Sequence, residues 1–141
     1  MANDLNDALK DFPALSRQYT QTLDTALAPL GLSSSLYYYL LKLHEFGDLP
    51  QERLVQLTGV NASNVTRAIA QLVQQDYLTK RKNPKDGRGF VLALTAQGAA
   101  ICPAILDRLA TAQAQFLTPL APQERNQFVA LLQKLAQPAK E

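Results

Sequence analysis

The side chains best equipped for chemistry in this 141-residue chain are hydrogen-bond donors rather than nucleophiles. Ser63, Asn64, Thr66, Arg67 and Gln71 crowd into one short segment, and Lys80, Arg81, Lys82, Lys85 and Arg88 follow shortly after it. Guanidinium and carboxamide groups carry paired donors and acceptors that match base edges, Arg to guanine and Asn or Gln to adenine. Cations on an extended loop neutralise phosphates or enter a narrow minor groove. Residues 61–95 hold six basic against two acidic residues, a balance of +4, while the rest of the chain, with eight basic and ten acidic, carries −2. So local a positive field points to a polyanionic partner.

Other chemistries have little material. Catalysis needs a nucleophile beside a base, paired carboxylates in a cleft, or a phosphate loop. The chain offers one cysteine, Cys102, and one histidine, His44, in unrelated segments. No enzyme, metal site or cofactor is therefore expected, and a lone cysteine makes no internal disulfide. Cys102 reads as a buried thiol and His44 as a solvated or capping side chain. No run reaches the ~18 apolar residues of a membrane span. The N-terminal MANDLNDALKDF is acidic and lacks a signal-type apolar segment, so a cytoplasmic, membrane-free protein is expected.

The elements that must position these donors follow from periodicity. Leu5, Leu9, Phe12, Leu15, Tyr19, Leu23 and Ala26 recur at steps of three and four, predicting one helix over 4–28 that Pro29 and Gly31 end. Ser33 to Ser35 offer an N-cap for a second helix over 34–46. Pro50 opens a short third helix with Leu54 and Leu57 inward, Gly59 turns, Val60 plugs the turn, and Asn61 caps a fourth. On that fourth helix Val65, Ile69 and Leu72 centre the apolar face, so Ser63, Arg67, Ala70, Gln71 and Gln74 point outward with Asn64 and Thr66 on the flanks. Short amide side chains with one Arg, and no Glu or Lys, suit a major groove; a merely solvated face is the plainer reading.

From 77 to 95 the period shifts toward two, predicting a hairpin of YLTKRKN and FVLALT around PKDGRG, with a basic tip. Thr95 caps a helix over 96–117 that Pro103 should kink near 100–103. A last helix begins at Pro122, buries Phe128, Leu131, Leu132 and Leu135, and stops before Pro138. Two short helices joined by a tight turn and followed by a hairpin give a mainly α chain with a small β wing, an α+β helix-turn-helix.

The stretch from Asn61 to Gly98 resembles the recognition helix and wing of MarR-type regulators. The helix signature is Ser63, Val65, Thr66, Arg67 and Leu72; the wing signature is Asp86 and Arg88, followed by Leu94, Thr95 and Gly98. In order and length the resemblance covers nearly the whole chain. It implies a single domain: a winged helix-turn-helix over about 33–95, and dimerisation helices over about 4–28 and 96–137. It also implies a homodimer on double-stranded DNA, most relatives being repressors, with Asp86 orienting the wing and Arg88 as minor-groove probe. The family often has Gly where this chain has Asp76 and Arg where it has Lys80; Asp is among the residues that tolerate a left-handed cap. By the same resemblance, one or two of the consecutive Tyr37, Tyr38 and Tyr39, Tyr38 above all, and more weakly Tyr19, are expected to line an effector cleft for small aromatic or phenolic molecules; ordinary packing at helix ends is the equal alternative. A winged-helix module that binds protein instead of DNA is the alternative.

Overall fold

The computed structural model describes residues 5–136, and side chains from residue 7 onward. The expected starts and stops at residue 4, residue 137 and Pro138, and the side chain of Leu5, lie outside them.

The expected first helix is two helices, α1 (Leu5–Leu9) and α2 (Phe12–Leu27), followed by a 3₁₀ turn over Ala28–Leu30. The reason is Pro13. It has no N–H for the Leu9 carbonyl and its ring would strike that carbonyl, yet in the first turn of a new helix neither matters. The second helix, α3, begins later than expected, at Tyr37, and ends at Phe46. The serines form the turn before it: Ser33 Oγ accepts from Ser35 N–H at 3.3 Å, while Asp24 Oδ1 accepts from Ser34 N–H at 2.7 Å.

Pro50 does not lie inside the next helix. It ends a two-residue strand, β1 (Leu49–Pro50), directly before α4 (Gln51–Thr58). Next come α5 (Ala62–Gln74), the hairpin β2 (Leu78–Asn83) and β3 (Asp86–Leu94), then α6 (Ala96–Phe116) and α7 (Pro122–Ala136). The sheet is antiparallel in the order β1-β3-β2, so β1 turns the expected two strands into three. Its pairs Leu49 with Leu92 and Pro50 with Val91 tie the entrance of α4 to the wing.

α6 runs as one helix through Pro103, which does not break it. Pro103 and Ala99 both face solvent, so water can satisfy the Ala99 carbonyl that lacks its usual donor. One core joins the elements, with Leu27, Leu40, Leu54, Val65, Ile69, Leu72, Leu92 and Ile105 fully buried. α7 contributes nothing to it: Phe128 is half-buried, and Leu131, Leu132 and Leu135 are exposed rather than buried within the chain. Leu9, Phe12 and Leu15 are exposed as well. No helix among the described residues is long and apolar enough to cross a membrane.

Candidate nucleic-acid interface

α5 is fixed by its two ends and one face. At its start Asn61 stays extended and its Oδ1 accepts from Asn64 N–H at 2.9 Å, satisfying one of the donors that a helix N-terminus leaves free. Val65, Ile69 and Leu72 sink completely into the core, each contributing on the order of 1.5 to 3 kcal/mol. At its end Asp76 takes φ +64, and two bonds close a left-handed cap: Asp76 N–H to the Val73 carbonyl and Tyr77 N–H to the Leu72 carbonyl, both 3.0 Å. The Asp in place of glycine thus does what the sequence required of it.

The outward residues emerge as expected: Ser63, Asn64, Thr66, Arg67, Ala70, Gln71 and Gln74 are all exposed. Arg67 Nη2 donates to Asn64 Oδ1 at 2.6 Å, which holds the guanidinium beside the helix start. Thr66 Oγ1 donates to the Ala62 carbonyl at 2.9 Å and accepts from Gln51 Nε2 at 3.1 Å, so α4 and α5 are pinned together at their N-termini.

The wing is shorter at its tip than the sequence indicated. Asn83 pairs with Asp86 and Lys82 with Phe90, which leaves only Pro84 and Lys85 as the turn and makes Gly87, Arg88 and Gly89 a bulge on β3. Asn83 Oδ1 accepts from Lys85 N–H and Asp86 Oδ1 from Arg88 N–H, both at 3.0 Å. Asp86 therefore acts on the wing arginine through its backbone, shaping the bulge from which the guanidinium projects. Lys80, Arg81, Lys82, Lys85 and Arg88 are all exposed.

Three contacts escaped the sequence reading because their partners are distant along the chain. Lys80 Nζ sits 4.2 Å from the centroid of the Phe90 ring, a cation–π contact that aims the ammonium along the wing. Arg81 pairs with Asp48 at 3.5 Å, and Gln51 with Thr66 as above. Residues 48–51 therefore reach both ways, to the root of the wing and to the start of α5. In hindsight only the polar residues flanking Pro50 hinted at this.

The tyrosines divide. Tyr38 lines a cavity of about 560 Å³ together with Tyr37, Asn64 and Arg67. Val60, expected as a plug, is 37% exposed and lines the same cavity. Tyr19 instead faces a separate apolar cavity of about 330 Å³ between α2, α6 and α7, its ring 4.8 Å from that of Phe116. Burial, then the nearby Tyr19 and Tyr38, raise the pKa of Tyr37. Cys102 is fully buried, its thiol pushed up by burial and within 3.3 Å of the Gly98 carbonyl. His44 is exposed in the last turn of α3. No cluster of His, Cys, Asp and Glu suited to a metal occurs among the described residues.

Comparison with known proteins agrees with this geometry. The MarR family model matches residues 32–90, from the loop before α3 to the middle of the wing's return strand. The HTH-type transcriptional regulator BilQ of Clostridioides difficile is 28% identical over 87 residues, 62% of this chain and 59% of that protein. The multiple antibiotic resistance protein MarR of Salmonella typhimurium is 26% identical over 88 residues, 62% and 61%. The chain thus spans about three fifths of the length of these curated relatives. A MarR mutant from E. coli, crystallised in complex with operator DNA, superimposes with a TM-score of 0.81 at 21% identity, covering 96% of this chain and 100% of that one. At that identity the likeness speaks for the fold, a winged helix-turn-helix flanked by further helices. The family match across the helix-turn-helix and the architecture shared across almost all the described residues together support the MarR family for this chain.

Proposed function

We propose that this chain is a sequence-specific, double-stranded-DNA-binding transcriptional regulator that acts as a homodimer. α5 enters the major groove, and the wing reaches phosphates and the neighbouring minor groove. The observation that carries this reading is the two-sided construction of α5. Its apolar face is fully buried, while the opposite face offers Ser63, Asn64, Thr66, Arg67 and Gln71 with no acidic side chain, next to a wing of five cations. The related fold bound to operator DNA supports it by analogy.

Exposed Leu9, Phe12, Leu15, Leu131, Leu132 and Leu135 support the dimer, since contiguous apolar surface is rarely left to water. Dimerisation helices then flank a single winged domain, and two α5 helices read an inverted repeat with half-sites about 10 bp apart. Sedimentation equilibrium should give about twice the 15.5 kDa chain mass. Repression, in the cytoplasm of a bacterium, is the mode proposed. A small aromatic or phenolic effector in the cavity lined by Tyr38 would touch Asn64 and Arg67 directly and so compete with base reading.

The test is selection from a randomised duplex pool, followed by a salt titration on the selected sequence. If the dimer neutralises six to ten phosphates, affinity falls by about 10³ to 10⁵ between 50 and 200 mM salt. A flat response, with no sequence selected, would overturn the proposal in favour of a protein-binding winged helix.

A further inference from the structure

We infer that Gln75, Asp76 and Tyr77 form a joint that sets the position of α5 relative to α2 and α6, and that Gln75 and Tyr77 are positioning residues for half-site spacing. This rests on the proposed DNA-reading function, which it deepens.

The segment is gripped from two sides. Toward α2, its side chains donate to consecutive carbonyls of the turn that ends that helix: Tyr77 OH to Leu30 at 3.0 Å and Gln75 Nε2 to Gly31 at 2.7 Å. Toward α6, its own carbonyls accept. Thr95 N–H donates to Tyr77 at 3.0 Å, Thr95 Oγ1 to Asp76 at 2.5 Å, and Gln97 Nε2 to Gln75 at 3.5 Å. The same Thr95 hydroxyl accepts from Gly98 N–H at 2.9 Å, so one group both caps α6 and holds the end of α5.

Two glycines make these approaches possible. A Cβ on Gly98 would stand 2.1 Å from the Tyr77 carbonyl oxygen, a distance no side chain tolerates. Gly31 has φ +70, and a Cβ there would press on Gln75 Nε2 at 3.3 Å. Gln75 Oε1 is buried with no partner, so the carboxamide accepts an unsatisfied oxygen in order to place its donor.

α2 and α6 pack along each other and carry or adjoin the uncovered apolar surface. Beyond the shared core, the polar links between the end of α5 and these two helices among the described residues all pass through residues 75–77. In a dimer built on that surface, the separation of the two α5 helices depends on how rigidly this joint holds.

The probe is the inverted repeat selected by the wild type, remade with half-site separation changed by one and two base pairs, and as a single half-site. Wild type should discriminate against the altered spacings by about tenfold or more. Tyr77→Phe with Gln75→Leu should reduce that discrimination to about threefold or less, with single-half-site affinity held within about twofold. An unchanged spacing profile, or an equal loss on the single half-site, would overturn the joint.

A second arm needs no DNA. Hydrogen exchange on the free protein should show Tyr77→Phe accelerating amides of residues 27–32 and 73–77 together, with α4 unchanged. Response in only one of the two segments would also overturn it. If the wild type selects no sequence, the proposed function fails, and this second arm still decides whether the joint exists.

Discussion

α5 and the β2–β3 wing face solvent with comparable polar surfaces but are held in place by different means. α5 is capped by Asn61, closed by Asp76, and seated on three completely buried side chains. The wing buries Leu78 and Leu92 at its root, its tip is shaped by two side-chain-to-backbone bonds, and the hairpin as a whole carries most of the local charge. Direct base readout depends on groups held in register, whereas phosphate contact tolerates displacement and is paid in charge. The core-seated element with one Arg is therefore suited to reading, and the hairpin with five cations to anchoring.

That division can be broken from the α5 side first. Ile69→Ala removes a buried side chain beneath the outward face and should lower stability by about 2 to 5 kcal/mol in urea unfolding; a loss well under 1 kcal/mol would mean that α5 is not seated as described. Arg67→Ala leaves the fold intact and should weaken binding to a selected repeat by about 1 to 3 kcal/mol in fluorescence anisotropy, with less effect on random duplex. Asn61→Ala tests the cap: about 1 kcal/mol of stability should go, and substitution by Gly should restore most of it.

The wing side gives the smallest free-energy effect and the clearest signature. Lys85→Ala should weaken selected and random duplexes alike and reduce the log–log salt slope by about one per wing. A loss confined to the selected repeat would transfer reading to the wing and dissolve the contrast.

The same contrast explains what was legible in the sequence. α5 was readable from Asn61 to Asp76 because its determinants are local: a cap, a 3.6-residue period and a residue tolerant of left-handed geometry. Thr95 as the cap of α6 belongs to the same class. Pro13 was equally local, and its power to split the first helix lay in the sequence, masked by an apolar stripe that continues across the break.

The wing was legible only as a hairpin. Its tip depends on a register in which Lys82 faces Phe90, and no single-strand pattern encodes that pairing. Two residues are too few to show a strand's period, so β1 had no signal; it exists because β3 offers Leu92 and Val91. The ties from Asp48 and Gln51, and the grip of residues 75–77 on α2, link positions far apart in the chain and emerge only from packing.

Dimethyl sulfate footprinting on the selected repeat tests the assignment of reading and anchoring most directly, because the reagent reports guanine N7 in the major groove and adenine N3 in the minor groove. The account predicts protected N7 at the centre of each half-site and protected N3 on the flanks. Arg67→Ala should remove only the former and Arg88→Ala only the latter. Loss of N3 protection in Arg67→Ala, or N7 protection that survives it unchanged, would contradict the placement of α5 in the major groove.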